Sequence, residues 1–132
     1  MKCVVLDASA LMTFFEGGPA AERVEYLFAL AAEGKRQLLM TVINWGEVYY
    51  SVWRKRGPDI AKRIAIEIAQ LPLTIHNVDK ELARLAAEFH GRYKLPYVDC
   101  FAAALANQHK AQIATSDRDF ARIASEAPLI WI

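Results

Sequence analysis

Short apolar runs alternate with longer stretches of helical periodicity along this chain. Cys3–Leu6 is nearly continuous apolar sequence, the mark of a strand covered on both faces, and Asp7 ends it. Ala8–Glu16 predicts a short helix stopped by Gly17-Gly18. Pro19 suits the first turn of a second helix, which runs to about Glu33 before Gly34. Gln37–Thr41 reads as a second strand, Val42–Arg56 as a helix ending at Gly57, and Pro58 opens another helix to about Gln70. Leu73–Ile75 is a third short strand. Asp79 caps a helix that reaches about Lys94, Pro96 starts a new segment, and Val98–His109 is helical. Gln112–Thr115 is a strand, Asp117–Ser125 a short helix and Leu129–Trp131 a last strand.

This βααβααβααβαβ order implies an α/β fold, a parallel sheet with helices on both faces. No repeat, linker or composition break divides it, so residues 1–132 form one domain.

Composition narrows the classes. At 55% hydrophobic and 23% charged, the chain is not intrinsically disordered. A net charge of +1 gives no overall signature of a nucleic-acid binder, so any such contact must come from local patches or metal ions. Two cysteines, neither in a Cys-x-x-Cys pair, exclude a disulfide scaffold and argue against zinc. The apolar run before Asp7 is too short for a signal peptide or a membrane span. The expectation is a soluble cytoplasmic protein, with no membrane contact and with Cys3 and Cys100 reduced.

The placement of the carboxylates adds chemistry. Asp7 follows the first strand, Glu47 lies in the second turn of the helix after the second strand, and Asp117 lies just beyond Gln112–Thr115. Loops at the carboxyl ends of parallel strands share one edge, where ligands bind. Asp99 follows no strand, so only the packing of its helix can bring it there. Ala102, Ala103 and Ala106 on its face would allow close packing, although alanine is also simply a good helix former. Asp7, Asp99 and Asp117 all lie at or near helix starts, where aspartate commonly caps. Glu47 belongs with Asn44, Ser51 and Arg54 to a narrow polar stripe bordered by Trp45, Tyr49, Tyr50 and Trp53, which suggests a polar cleft. Arg54 is a candidate phosphate contact. Clustered carboxylates repel one another unless a cation intervenes. An oxygen-only set suits Mg²⁺ or Mn²⁺, which activate water for phosphodiester attack.

Four segments resemble the motifs of the PIN-domain family, in particular the VapC-type toxins. These are Val4-Val-Leu-Asp7-Ala-Ser9, Thr41-Val-Ile-Asn44-Trp-Gly-Glu47, Pro96-Tyr-Val-Asp99 and Ala114-Thr115-Ser-Asp117-Arg-Asp119. The resemblance spans nearly the whole chain. It implies a three-layer α/β/α sandwich with a mainly parallel sheet. It implies an endoribonuclease using Mg²⁺ or Mn²⁺ held by Asp7, Glu47, Asp99 and Asp117. Ser9 and Thr115 then resemble the supporting hydroxyls, and Asn44 a polar residue found beside the glutamate in one branch. Asp119 is either a further acid of the site or, as the preferred reading, a first-turn residue of the last helix. The implied partners are RNA, a small antitoxin protein seated in a groove of the aromatic-rich helices, and a second copy of the chain in a homodimer. His76, His90 and His109 fall outside the motifs and read as structural or surface residues.

Three other readings stand beside this one. A phosphoryl-receiver domain also has an acidic Mg²⁺ pocket, but it needs adjacent acids after the first strand and a late lysine, which Asp7 and Thr115-Ser116-Asp117 lack. An RNA-maturation nuclease without an antitoxin and a non-catalytic RNA-binding domain share the same motifs.

Overall fold

The computed structural model describes residues 2–132. Five strands form one sheet: β1 (Lys2–Leu6), β2 (Arg36–Thr41), β3 (Thr74–His76), β4 (Gln112–Thr115) and β5 (Leu129–Trp131). Their order is β3-β2-β1-β4-β5, and every pairing is parallel. Six helices connect them: α1 (Ala8–Glu16), α2 (Pro19–Ala32), α3 (Val42–Arg56), α4 (Pro58–Ala69), α5 (Lys80–Tyr93) and α6 (Tyr97–His109).

The continuous apolar strands divide their side chains between two cores. Val4 and Leu6 of β1, with Leu38 and Met40 of β2, pack beneath α1–α4. Val5, Leu39 and Ile113 point the other way, against α5 and α6. That alternation is what makes strands buried on both faces apolar throughout. The sheet is therefore the middle layer of a three-layer sandwich.

Two expectations are corrected. The third strand is Thr74–His76, one residue later than its hydrophobicity indicates, because it pairs with Leu39–Thr41 of β2. The last helix is a 3₁₀ segment, Arg118–Ile123, held by bonds such as Phe120 N–H to Asp117 C=O at 3.2 Å. The Asp117 carboxylate accepts from Asp119 N–H at 2.9 Å, which favours the tighter winding. Between α3 and α4, Gly57 has φ of 91°, a left-handed conformation that lets Pro58 begin α4 without a spacer. Cys3 and Cys100 are both free thiols. Among the described residues, no helix is long and apolar enough to cross a membrane.

Candidate active site

Connections leave β1 and β4 in opposite directions, and this adjacent pair forms the crevice where an open parallel sheet binds ligands. Asp7 and Asp117 stand at its two lips. Asp7 N–H donates to Ala114 C=O at 3.2 Å, which continues the β1–β4 ladder one residue past β1. Its carboxylate is buried and accepts from Thr115 Oγ1 at 2.6 Å, Ser9 Oγ at 2.7 Å and Ala10 N–H at 2.9 Å. The Ala10 bond makes Asp7 the cap of α1 as well. Three donors converging on one side chain suit an ionised acid, which only accepts.

Ser9 and Thr115 also tie the second lip to the first. Thr115 Oγ1 accepts from Asp117 N–H, and Ser9 Oγ accepts from Ser116 N–H, each at 2.9 Å. Asp117 then caps the 3₁₀ segment. Asp7 and Asp117 thus each cap a helical segment at the lip of the same crevice.

Glu47 and Asp99 arrive on helices. Glu47 lies in the second turn of α3, and its buried Oε1 has no hydrogen-bond partner. Asp99 is the third residue of α6 and caps nothing, because Pro96 occupies the cap position. Cys100 through Ala106 of α6 are all buried. The small side chains at Ala102, Ala103 and Ala106 let that helix sit close beneath the crevice.

The four acids are near enough to act on one another. Burial raises the Asp99 pKa first, then repulsion from Asp117, Glu47 and Asp7, taking it to about 7. Glu47 is raised by burial and then by Asp7 and Asp117. Asp7 is raised by burial, which outweighs the lowering by its three donors. Among the described residues, no group of three or more acid, histidine or cysteine side chains is drawn together closely enough to hold a metal ion. The chemistry of the acids rather than their spacing is what fits Mg²⁺ or Mn²⁺, hard cations that bind a few carboxylates and keep several waters. The all-oxygen donors and the orphaned Glu47 Oε1 fit the same ions.

The polar stripe of α3 does not form one continuous cleft. Asn44 is fully buried and bonded to the protein, while Arg54 is exposed with its guanidinium 5.4 Å from the Tyr50 ring centroid. Ser51 is half-buried beside an apolar groove shared with Phe15, Val48 and Ile64. Tyr50 and Trp53 are exposed, so the core does not absorb every aromatic of α3. Asp119 pairs with Arg122 at 3.8 Å and behaves as a first-turn residue of the 3₁₀ segment. His76 and His109 meet edge to face at 5.2 Å, and His90 Nδ1 lies 2.7 Å from Leu95 C=O. Two anchors inside the motifs have no role assigned from the sequence, the Thr41 hydroxyl and the Val98 carbonyl, both bonded to Asn44. Thr41 is findable as a threonine directly before a helical pattern. A backbone carbonyl carries no sequence signal.

The sequence profile of the PIN domain matches residues 4–126. The chain belongs to the PIN-domain family. Among curated proteins, none matches the sequence. Solved structures do. A toxin–antitoxin complex from Klebsiella pneumoniae is 21% identical, with 96% of this chain and 95% of that chain covered and a TM-score of 0.72. VapBC2 from Rickettsia felis, bound to a DNA fragment from its promoter, is 15% identical over 97% of each chain, with a TM-score of 0.74. VapC20 from Mycobacterium tuberculosis, a toxin that cleaves the sarcin-ricin loop, is 18% identical over 89% of this chain and 92% of that one, with a TM-score of 0.71. At these identities the likeness establishes a shared PIN fold.

Proposed function

We propose that this PIN domain is a metal-dependent endoribonuclease and the toxin of a toxin–antitoxin pair. The observation that carries the nuclease reading is the meeting of Asp7, Glu47, Asp99 and Asp117 at one crevice, each of the first three with a raised pKa. Such a cluster is unfavourable without a cation.

Asp7, Glu47, Asp99 and Asp117 would hold Mg²⁺ or Mn²⁺. Bound there, the ion would neutralise the scissile phosphate and make water a stronger nucleophile. Ser9 and Thr115 fix Asp7 by donating to it, and their lone pairs hold the loop that presents Asp117. Burial and the neighbouring carboxylates push the Asp99 pKa up to about 7, so a bound cation would favour its ionised form. No protein nucleophile is required. Arg54, exposed and two turns beyond Glu47 on α3, is the proposed contact to a neighbouring phosphate.

The toxin reading rests on the structural neighbours, several of which are toxin–antitoxin complexes. An apolar groove between α1, α3 and α4, lined by Met12, Phe15, Val48, Val52 and Ile64, supports it. Its shape and composition suit an amphipathic antitoxin helix. A homodimer and a cytoplasmic location belong to the same proposal.

Purified protein incubated with RNA and Mn²⁺ or Mg²⁺ should cleave it, and excess EDTA should stop cleavage. Undiminished cleavage in EDTA would overturn the metal reading. Induction should arrest growth, and co-expression of the protein encoded next to it should restore growth. Harmless induction with no copurifying small protein would remove the toxin assignment.

A further inference from the structure

Asp7 and Asp117 are locked together by Ser9 and Thr115, whereas Glu47 and Asp99 ride on two separate helices. One buried polar side chain spans those helices close to both acids. Asn44 precedes Glu47 by three residues, in the first turn of α3, and is fully buried. Its Nδ2 donates to the Val98 carbonyl at 3.2 Å, in the first turn of α6 and directly before Asp99. Its Oδ1 accepts from Thr41 Oγ1 at 2.6 Å, while Thr41 Oγ1 accepts from Asn44 N–H at 3.1 Å.

We infer that Asn44 is a positioning residue, which pins the start of α6 to the start of α3 and thereby sets the spacing between Asp99 and Glu47. The inference rests on the metal-site reading of those acids. Chemistry narrows the residue type. The Thr41 hydroxyl spends its proton on Oδ1, so the amide must present Nδ2 to Val98. Aspartate at this position could accept from Thr41 but would set a carboxylate against a carbonyl and add a fifth charge beside four. Leucine fills the volume and supplies neither bond. Serine reaches Thr41 or Val98, not both. Groups that orient metal-binding side chains characteristically change metal affinity strongly when removed.

The probe is Mn²⁺ alone, titrated into the full chain and followed by the electron paramagnetic resonance signal of the free ion. Asn44→Leu should weaken binding about 10–100-fold, and Asn44→Ser by less. In an Asp99→Asn background the same substitutions should change affinity by no more than about two-fold, because the lost anchor then has no acid to place. Val24→Ala, on α2 and fully buried in the core on that face of the sheet, controls for destabilisation and should leave affinity unchanged. If Asn44→Leu fails to fold, Asn44→Ser carries the comparison. Without metal, amide exchange at Cys100 in the first turn of α6 should accelerate in the Asn44 variants. Folded Asn44 variants that bind Mn²⁺ as wild type does, or lose equal affinity in both backgrounds, would overturn the inference. Failure of the nuclease reading looks different: wild type would bind Mn²⁺, Asn44 variants would bind it weakly, and none would cut RNA.

Discussion

The cradle around Asp7 makes opposite demands at neighbouring positions. Thr115 is fully buried, and its hydroxyl both donates to Asp7 and accepts from Asp117 N–H. Thr115→Val keeps the shape and removes both bonds. An acceptor and a donor would then be left short in a buried place, at a cost of ~1–3 kcal/mol. Denaturant melts should show that loss, and RNA cleavage should fall about 10–100-fold because Asp7 and Asp117 would no longer share one frame. Asp119 lies only four residues further on, yet its carboxylate is half-exposed and pairs loosely with Arg122. Asp119→Ala should change stability by no more than ~0.5 kcal/mol and should leave cleavage intact. A large loss of activity at Asp119 would place it in the site after all.

At the scale of elements, α6 decides whether the fourth acid reaches the crevice. Ala103 is buried against the face of the sheet that holds Val5 and Ile113. Ala103→Leu would insert three heavy atoms where no room exists, at a cost of ~1–3 kcal/mol. The helix would be levered outward, so Mn²⁺ affinity should fall more than in a variant of equal stability altered under α4. The sequence made Asp7 and Asp117 legible because strand ends in a parallel sheet must share an edge. It made Glu47 legible through its place after β2. The position of Asp99 was not legible from the residues alone, because α6 enters from a loop and is placed by contacts distant in sequence. Only the resemblance of Pro96-Tyr-Val-Asp99 to a known motif indicated it. The role of Asn44 was less legible still. Helical spacing put it on a stripe with Glu47 and Arg54, but burial against Val98 comes from the packing of α3 on α6. The 3₁₀ winding after Asp117 escaped for a similar reason, since an i+2 bond to a side chain competes with ordinary helical propensity.

For the whole molecule, the acid cluster is a standing cost to folding in the absence of metal, and its sign can be worked out. Asp7, Glu47 and Asp99 all have pKa values raised in the folded state. A raised carboxyl pKa means that the native protein holds its protons longer than the unfolded chain does. The stability tied to these groups is present below their ordinary pKa values and is lost as pH rises through the folded ones. For Asp99 that window runs from the usual 3.8 to about 7. In EDTA the protein should therefore lose stability across this range. His76 works the other way, because burial and then His109 lower its pKa, so acid costs stability there. Comparison with Asp99→Asn removes the His76 contribution. The substitution forfeits ~0.3–1 kcal/mol of favourable interaction with the α6 dipole. It also removes a charge from a crowded, half-buried site. Relief of repulsion should win at pH 8, leaving the metal-free variant more stable than wild type by ~0.5–2 kcal/mol. At pH 4 the advantage should vanish, since wild-type Asp99 is then protonated. Saturating Mg²⁺ at pH 8 should reverse the order, because the ion stabilises most the chain that binds it best. A variant less stable than wild type in EDTA at pH 8, and equally stabilised by Mg²⁺, would show that Asp99 serves its helix rather than the site.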